Sequence, residues 1–355
     1  MKIKQYYSLL LLISAIMLSC SKDDDNNPQP VPPPVATTGM LIINEGNYYS
    51  GIDGSLSYFD YATGNMTNNV FATMNGKSLG GTPNDIISCG GQYFIPVTEE
   101  NLVWILDENM KALTSLQVTK PRRVTAGGNS VFISSYDGHV YAYNLTTKTL
   151  TKSEVVGACL EDIVFLRDYV YVCNAYNADY TYNTNVVKLK ASNLEKVADI
   201  TVLCNPTSIE TDGNNIYVLS VGNYADVNNT LQCIDASDKV TTMFEATYFA
   251  LGNGKLYYVA STYDENWQAV TTYNVCDLNT TKTSVFTEGK EVLYPAGIAA
   301  DATTGNVCII SYLLSEYGYG DYNSPGYVVR YDKDGQCLGQ HTVGVCAKTI
   351  CFIEK

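Results

Sequence analysis

Few residues of this sequence are suited to acid–base or nucleophilic chemistry. Among 355 residues there are only two histidines, His139 and His341. The sequence has no G-x-S-x-G, no H-E-x-x-H and no phosphate-binding glycine loop, the spacings typical of many hydrolases and nucleotide-binding proteins. Adjacent acids such as Glu161–Asp162 do not by themselves identify a glycosidase pair. We therefore predict that the protein is not an enzyme and that both histidines are structural.

Metal-binding spacings are equally scarce, so we predict neither a metal site nor a cofactor. The eleven cysteines include no C-x-x-C pair. The segment Asp332–Gln336 resembles the start of a calcium loop, but the later ligands are missing and a hairpin turn is favoured. Most cysteines lie in apolar runs and are expected to be reduced core residues. Cys159 and Cys204 are the pair to test first for a disulfide.

Aromatic residues, by contrast, point to binding. The chain has 29 tyrosines against 9 phenylalanines and 2 tryptophans. The stretch NAYNADYTYNTN, residues 174–185, places three tyrosines between two apolar runs, where a loop is expected. Tyrosine offers a large ring at low entropic cost, with a hydroxyl that gives direction to the contact. The composition thus favours a wet surface that contacts a sizeable partner.

The sequence repeats, and the repeats predict the fold. Six segments begin with an a–P–x–x–I pattern, near Pro83, Pro121, Leu160, Pro206, Thr247 and Pro295, and each continues with short apolar runs separated by polar turns. Repeats of about 40–50 residues made only of short strands are typical of propeller blades. The C-terminal segment supplies one more first strand, and the N-terminal segment from residue 39 supplies the later strands. We predict an all-β, seven-bladed β-propeller over 39–355, closed by pairing of the terminal strands; a six-bladed ring or a β-sandwich is the alternative.

The predicted strands, called A to D in each blade, sort the loops onto two faces. The A–B and C–D turns are short and share one face, whereas the B–C loops are long, aromatic and share the other face with the D–A connections. Continuous apolar runs predict that strand B is buried on both sides, and strand C alternates more. Thirteen large aromatic side chains fall in the B–C loops: Tyr48, Tyr49, Tyr136, Tyr176, Tyr180, Tyr182, Tyr224, Tyr263, Trp267, Tyr312, Tyr317, Tyr319 and Tyr322.

A ligand-binding face is therefore predicted on the B–C side, because function is expected on loops held by a rigid scaffold. For any single ring, local packing against a neighbouring loop is an equal alternative. Arg122 and Arg123, placed in a D–A connection, could bind an anionic group or form a structural ion pair. The candidate ligand-binding residues are Asn47, Tyr49, Tyr136, Asn174, Tyr176, Tyr180, Tyr182, Asn223, Tyr224, Tyr263, Trp267, Tyr312, Arg122 and Arg123.

The N-terminus has the pattern of an export signal. Two lysines precede an apolar run that ends at MLSC, residues 17–20, which resembles a bacterial lipobox with Cys20 as the lipidated residue. An ordinary signal peptide with an incidental cysteine is the alternative. Residues 20–38 are acidic and then proline-rich, as expected of a solvated tether. We predict a signal peptide at 1–19 and a lipid anchor at Cys20. The formal net charge of −14 argues against nucleic acid as a partner.

These features together resemble a known family. The segment GMLIINEGNYYSGIDGSLSYFDYATG, followed by VFATMNGKSLGGTPNDI, looks like the opening of the YncE-like seven-bladed propeller lipoproteins of Bacteroidota. The best-understood members, the BtuG proteins, are surface lipoproteins that capture cobalamin and pass it to a TonB-dependent transporter. The resemblance implies the same role here, at the outer membrane and facing the cell exterior, with Arg122 and Arg123 as candidates for the cobalamin phosphate.

Two other functions stay open at this point. The tyrosine-rich face could bind another large ligand or a glycan, or it could act as an adhesive module against a protein. An enzymatic role such as that of a lactonase-like propeller is the weakest alternative, because the central metal or acid–histidine set it requires is not evident.

Overall fold

The computed structural model describes residues 36–354 except 264 and 266–268, and leaves the side chains of Tyr263 and Ala269 undescribed. The predicted signal peptide, Cys20 and most of the tether lie outside the described residues, as does Trp267. In the described part, no helix has the length and apolar character needed to span a bilayer.

The described chain forms 28 strands, which follow one another in groups of four. The first strands are β1 (Thr37–Asn44), β2 (Ser55–Asp60) and β3 (Asn65–Thr67). The second group is β4 (Ile87–Cys89), β5 (Gln92–Val97), β6 (Leu102–Leu106) and β7 (Ala112–Gln117). The third is β8 (Pro121–Gly127), β9 (Ser130–Ser135), β10 (Val140–Asn144) and β11 (Leu150–Lys152). The fourth is β12 (Cys159–Leu166), β13 (Tyr169–Tyr176), β14 (Tyr182–Lys190) and β15 (Lys196–Thr201).

The remaining strands complete the ring. The fifth group is β16 (Pro206–Thr211), β17 (Ile216–Ser220), β18 (Thr230–Ile234) and β19 (Val240–Glu245). The sixth is β20 (Tyr248–Gly252), β21 (Lys255–Tyr263), β22 (Ala269–Asp277) and β23 (Thr283–Thr287). The seventh is β24 (Tyr294–Ala300), β25 (Val307–Tyr312), β26 (Pro325–Tyr331) and β27 (Cys337–Val345), and β28 (Ala347–Glu354) follows. One short helix, α1 (Val70–Asn75), and a 3-10 turn (Tyr48–Ser50) were not predicted from the sequence.

The ends of the chain close the propeller as predicted. β28 pairs antiparallel with β1, with Phe352 opposite Met40 and Ile350 opposite Ile42, and gives the order β28-β1-β2-β3. This is blade 1; the other six sheets are blades 2 to 7 in chain order, and each contains four consecutive strands. The chain is therefore a seven-bladed β-propeller, which begins at Thr37, two residues before the predicted boundary.

Seven apolar clusters hold neighbouring blades together, one between each adjacent pair. Strand B supplies most of the fully buried residues, as in β17 and β25, where every side chain is buried. Strand C alternates more than strand B in several blades, as expected, for example in β6 and β14, whereas β10 buries four of its five side chains. Tyr141 and Tyr143 pack their rings between blades. Tyrosines that count as polar positions in the strand C pattern therefore contribute apolar ring surface to the core.

The cysteines follow the apolar pattern. All ten that the structure describes are free, and Cys173, Cys276, Cys308 and Cys346 are buried. Cys159 and Cys204 are not joined, so the suggested disulfide is absent from these described residues. The free thiols act as small apolar side chains in the sheets.

The repeated a–P–x–x–I pattern has a structural meaning that its spacing alone did not show. Strand A of each blade faces the central channel, and in several blades its pairing with strand B shifts register at the two x residues. The shifts lie between Pro121 and Val124, Leu160 and Ile163, Pro206 and Ser208, and Pro295 and Gly297. A bulge of this kind re-aims side chains. It places both x residues of these blades at one end of the channel.

Side chains at these positions also link successive blades. An Asp85 oxygen accepts a 3.0 Å hydrogen bond from the Val124 backbone N–H of the next blade, and Asp162 accepts one of 3.1 Å from Ile209 N–H. Deeper in the channel, Glu210 accepts a 2.8 Å hydrogen bond from Leu251 N–H. The inner edge of strand A has no neighbouring strand, so these acids satisfy backbone donors that face the channel.

Candidate ligand-binding face

The B–C loops and D–A connections share one face of the propeller, which we call the rim face. Contacts between blades confirm this sorting. Asn47, in the B–C loop of blade 1, donates hydrogen bonds to Tyr322 O at 3.3 Å and to Asn323 Oδ1 at 2.9 Å in the B–C loop of blade 7. Each strand A begins at this face, so the bulged x residues surround the mouth of the channel there.

Exposed tyrosines are confined to the rim face. Among the side chains that the structure describes, the exposed tyrosines are Tyr48, Tyr49, Tyr180, Tyr182, Tyr224, Tyr317, Tyr319 and Tyr322, from 39% exposed at Tyr182 to 98% at Tyr49. All eight lie in B–C loops or at the strand ends that border them. The predicted contrast between the two faces is therefore present in the structure, and these eight side chains are what the rim face offers to a partner.

Blades 3, 4 and 5 carry an aromatic ladder across neighbouring loops. The ring of Tyr176 meets Tyr136 edge-on and stacks nearly parallel on Tyr180, with centroids 6.1 Å apart in both pairs. Tyr182 lies 6.1 Å from Tyr224 of the next blade. Tyr180 and Tyr224 are each 77% exposed and have positive φ, so both are held outward by their turns. The rings of the ladder thus range from half-buried, at Tyr136, to largely exposed, at Tyr180 and Tyr224.

The hydroxyl of Tyr136, the least exposed ring of this ladder, is bonded within the protein. It donates a hydrogen bond to Glu161 Oε1, and the Tyr136 ring lies 5.1 Å from the Arg122 guanidinium carbon. Burial, followed by the Glu161 charge, raises the pKa of Tyr136 above its ordinary value. The hydroxyl of this predicted ligand residue is therefore already used within the protein.

Tyr312 is also an internal residue. It is 7% exposed, and its hydroxyl donates to the Ala347 carbonyl at 3.3 Å. Its ring stacks on Tyr294 and meets the more exposed Tyr322 edge-on at 5.5 Å. Tyr312 thus contacts Tyr322 from the protein interior, while on the adjoining loop Tyr49 is 98% exposed and meets Tyr48 edge-on at 5.9 Å.

Two of the predicted asparagines shape loops. Asn223 Oδ1 accepts hydrogen bonds from the backbone of residues 225, 226 and 227, which closes the turn that presents Tyr224. Asn174 is buried; its Oδ1 accepts from Ala158 N at 3.1 Å and its Nδ2 donates to Asn185 at 3.0 Å. Both amides hold the loops that carry the aromatic ladder in place.

The arginines lie in strand A rather than in a D–A connection as predicted, because the bulge of β8 begins at Pro121. Arg122 Nε donates to Glu161 Oε2 at 2.8 Å, its Nη1 donates to Asn84 Oδ1, and Glu45 Oε1 lies 3.7 Å away. Burial alone would lower the pKa of Arg122, but Glu161, Tyr136 and Glu45 outweigh it and raise that pKa. In the described structure Arg122 is therefore a structural ion-pair residue, the second of its two predicted roles.

Arg123 has a different environment. From blade 3, its Nη1 donates to the Asn84 carbonyl of blade 2 at 2.7 Å and to Thr349 Oγ1 of blade 1 at 2.8 Å. The Asp85 carboxylate is 3.9 Å away. Arg123 Nε is buried and has no hydrogen-bond partner among the described atoms. Arg123 is thus only partly satisfied by the protein.

The channel itself is a cavity of about 670 Å³. It is lined by the strand A residues of all seven blades. On blades 1 to 4 the lining includes charged residues, Arg122, Arg123, Glu161, Asp162 and Lys348. On blades 6 and 7 it is largely apolar, with Phe249, Leu251, Ala296 and Ile298. The rim face therefore surrounds an opening with one charged side and one apolar side.

Acids inside the channel have raised pKa values. Burial raises the pKa of Glu210 to about 8, against the opposing hydrogen bond from Leu251 N–H. Burial also raises the pKa of Asp162 to about 6, although Arg123 acts in the opposite direction. Such shifts also occur at functional sites, but the backbone hydrogen bonds of these acids give each one a structural role.

A pH dependence follows from Glu210. The native state keeps a proton on Glu210 up to about pH 8, whereas the unfolded chain releases it near its ordinary value of about 4.3. The free energy of unfolding therefore falls as pH rises through this window, by at most about 1.4 kcal/mol per pH unit. We expect Glu210→Gln, which keeps an acceptor for Leu251, to be more stable than the wild type by about 1–2 kcal/mol at pH 8 and to differ less at pH 6.

Urea denaturation at pH 6, 7 and 8 measures this difference. Glu108→Gln, which makes the same chemical change at an exposed position, provides the control. A constant gap between Glu210→Gln and the wild type across the three pH values would contradict the raised pKa.

Two predicted ligand residues, Tyr263 and Trp267, have no described side chain, and the two histidines have structural contacts. Tyr263 ends β21 at the rim face, but only its backbone is described, and Trp267 lies outside the described residues. His139 donates through Nδ1 to the Ser153 carbonyl at 2.8 Å, and the His341 ring centroid lies 4.4 Å from that of Phe59. Within the described ranges, no group of three or more His, Cys, Asp or Glu side chains is arranged to hold a metal ion.

Glu161 and Lys348 line the channel, and the buried Asn84 accepts hydrogen bonds from Arg122 and Arg123, but none of the three was among the predicted site residues. The sequence does contain a pattern that groups these residues. All three occupy the first x position of the repeated a–P–x–x–I pattern or its equivalent. Side chains that vary at a fixed position of a structural repeat are the ones a propeller presents at its axis.

Comparison with known proteins supports the fold. No protein-family model matches the sequence, and no curated protein is similar to it. The structure is similar to a protein assigned as a 6-phosphogluconolactonase from Bacteroides uniformis, with a TM-score of 0.61 and 10% identity, over 89% of this chain and 100% of that one. It is also similar to apo AztD from Citrobacter koseri, with a TM-score of 0.55 and 11% identity, over 89% and 98% of the two chains.

A third similar structure is hydrazine synthase from Kuenenia stuttgartiensis, with a TM-score of 0.56 and 16% identity, over 71% of this chain and 77% of that one. At these identities the likeness shows the fold alone. The chain is thus a β-propeller of a kind compatible with a ligand- or protein-binding module.

Proposed function

We propose that this protein is a cell-surface capture lipoprotein that binds cobalamin on the rim face and passes it to a TonB-dependent outer-membrane transporter. It acts as a binding protein and not as an enzyme. The observation that carries the proposal is that all eight exposed tyrosines of the described structure lie on one face, the face onto which the channel opens. Exposed aromatic surface of this extent marks interaction sites.

The geometry suits a large, flat ligand with polar edges. Tyr180 and Tyr224 present open rings from neighbouring blades, and Tyr49 does so from blade 1. Cobalamin has a flat corrin with peripheral amides, so rings can stack on it while tyrosine hydroxyls and asparagine amides pair with its edge. Arg122 is held by Glu161, so the proposed contacts come from the rings and not from that guanidinium.

Anchoring and export rest on the sequence. The MLSC segment with Cys20, followed by the acidic and proline-rich tether, supports a lipid-anchored protein at the outer membrane and facing the exterior. A long tether lets the propeller move over a neighbouring transporter while it stays anchored.

A second candidate function is binding of a protein partner. It is favoured by the B–C loop of blade 7, where Leu313 and Leu314 are exposed beside Tyr317 and Tyr319. Aliphatic residues among exposed rings are more typical of a protein interface than of a surface for a polar cofactor.

A titration separates these functions. Purified residues 36–355 are titrated with cyanocobalamin and followed by calorimetry and visible absorbance, with flavin mononucleotide as a flat, phosphate-bearing control. We expect saturable binding of cyanocobalamin at micromolar concentration or below and no comparable binding of the flavin. Absence of binding at micromolar cyanocobalamin would overturn the cobalamin proposal; equal binding of both ligands would reduce it to unspecific stacking.

A further inference from the structure

Lys348 is a charged side chain that the protein leaves unmatched. It is the second residue of β28 and lines the central channel on blade 1. Its ammonium forms no hydrogen bond or ion pair with the described residues; the nearest charges act on it only at longer range. Burial, with Arg123 and Arg122 nearby, lowers the pKa of Lys348, while Glu45 opposes this. Three N–H donors therefore face the channel without a protein acceptor.

Arg123 contributes a further unused donor next to Lys348. Its Nη1 donates at 2.8 Å to Thr349 Oγ1, the neighbour of Lys348 in β28, so the Arg123 side chain extends from blade 3 past blade 2 toward Lys348 on blade 1. Its buried Nε has no partner. Buried donors of charged groups are normally paired, and an unpaired one signals a missing acceptor.

The acids around this point are already occupied. Glu161 is paired with Arg122, and the two Asp85 oxygens accept hydrogen bonds from the backbone N–H groups of Ile86 and Val124. Both Asp162 oxygens likewise accept from backbone N–H groups, those of Ile163 and Ile209. Glu45 lies 3.7 Å from Arg122 Nη1, and Asp85 lies 3.9 Å from Arg123 Nη1, but no carboxylate accepts a hydrogen bond from the buried Arg123 Nε.

The opposite wall of the channel is apolar. Phe249, Ala296 and Ile298 line it on blades 6 and 7. A cavity of about 670 Å³ has room for an organic molecule that contacts both sides.

From these observations we propose that the channel mouth binds an organic oxyanion, a carboxylate or a phosphate, whose charged end lies between Lys348 and Arg123 and whose apolar part contacts blades 6 and 7. Tyr224 borders both the channel and the rim face, but the proposed site uses the cations of strand A and not the rim rings. Charge-assisted hydrogen bonds from two cations in a partly desolvated channel favour such a group.

Calorimetry with simple anions tests the site. Residues 36–355 are titrated with inorganic phosphate, acetate and hexanoate in a low-salt, chloride-free buffer, in parallel with Lys348→Met and with Lys333→Met, which removes an exposed lysine on the opposite face. We expect at least one anion class to bind to the wild type, hexanoate to bind about tenfold tighter than acetate, and Lys348→Met to lose about tenfold or more in affinity.

The outcomes decide the proposal. Phosphate binding without carboxylate binding would assign the site to phosphates, and the reverse would assign it to carboxylates. No binding of any probe at millimolar concentration, or equal affinity in Lys348→Met and the wild type, would overturn the site. Equal affinity for acetate and hexanoate would overturn the apolar contact.

A measurement on the wild-type protein covers the case in which Lys348→Met fails to fold. Acetic anhydride modifies lysines in their neutral form, and mass spectrometry gives the rate at each lysine. The bound anion should slow modification of Lys348 severalfold and leave that of Lys333 unchanged. Unchanged modification of Lys348 at an anion concentration that saturates the calorimetric signal would place the anion elsewhere.

Discussion

Replacing Tyr176, Tyr180 and Tyr182 together by serine weakens cyanocobalamin binding by about 100-fold while the protein stays folded. The three rings belong to one B–C loop, and Tyr180 is 77% exposed. At about 1 kcal/mol for each ring that loses a ligand contact, three rings give an effect of this size. Tyr176 packs between Tyr136 and Tyr180, so we expect a loss of only about 1–2 kcal/mol in the free energy of unfolding.

Calorimetric titration and urea denaturation of the triple variant measure the two effects. Val285→Ser and Leu338→Ser are matched controls, because they remove exposed apolar side chains from the outer strands β23 and β27. Their affinity for cyanocobalamin should equal that of the wild type. If the triple variant does not fold, the rings are core residues; if it folds and binds normally, the ligand lies elsewhere.

The largest effect on stability is expected at Arg122. Arg122→Met leaves the buried Glu161 carboxylate without its ion pair, and removal of one partner of such a pair typically costs about 3–5 kcal/mol. Glu161 keeps the Tyr136 hydroxyl as a donor, which places the expected loss at the lower end of that range. The double variant Arg122→Met/Glu161→Met should recover most of the loss, because no charge is then buried alone.

Urea denaturation of both single variants and the double variant gives this cycle. Arg167→Met serves as the control, because Arg167 is exposed and its one hydrogen bond, to the Asn214 carbonyl, is 3.4 Å long. A stability loss below about 1 kcal/mol for Arg122→Met, together with weaker cyanocobalamin binding, would show that Arg122 is a ligand residue instead of a structural one.

The blade count and the faces could be predicted from the sequence because both depend on local patterns. Apolar runs such as VFIS and IYVL, separated by turns with glycine and asparagine, define strand B of each blade. Because successive antiparallel strands run in opposite directions, the face on which each loop lies then follows from the order of the strands alone. The closure of β28 on β1 followed in the same way, from two incomplete repeats at the ends.

The individual roles of the site residues could not be predicted, because they depend on contacts between blades. Tyr136 and Tyr180 occupy equivalent kinds of loop, yet one is tied to Glu161 and the other is open to solvent. Asn223 closes its own turn, and Tyr312 lies under a neighbouring loop. The mouth of the channel was missed because its residues are close in space only when the ring is closed.

Hydrogen–deuterium exchange of residues 36–355, with and without saturating cyanocobalamin, tests most directly the claim that the rim face captures this ligand. We expect slower exchange in B–C loops of the rim face, above all in residues 176–183 and 221–229, and no change in the A–B and C–D turns such as residues 145–149 and 253–254. Protection confined to those turns, or no protection in any B–C loop, would contradict it.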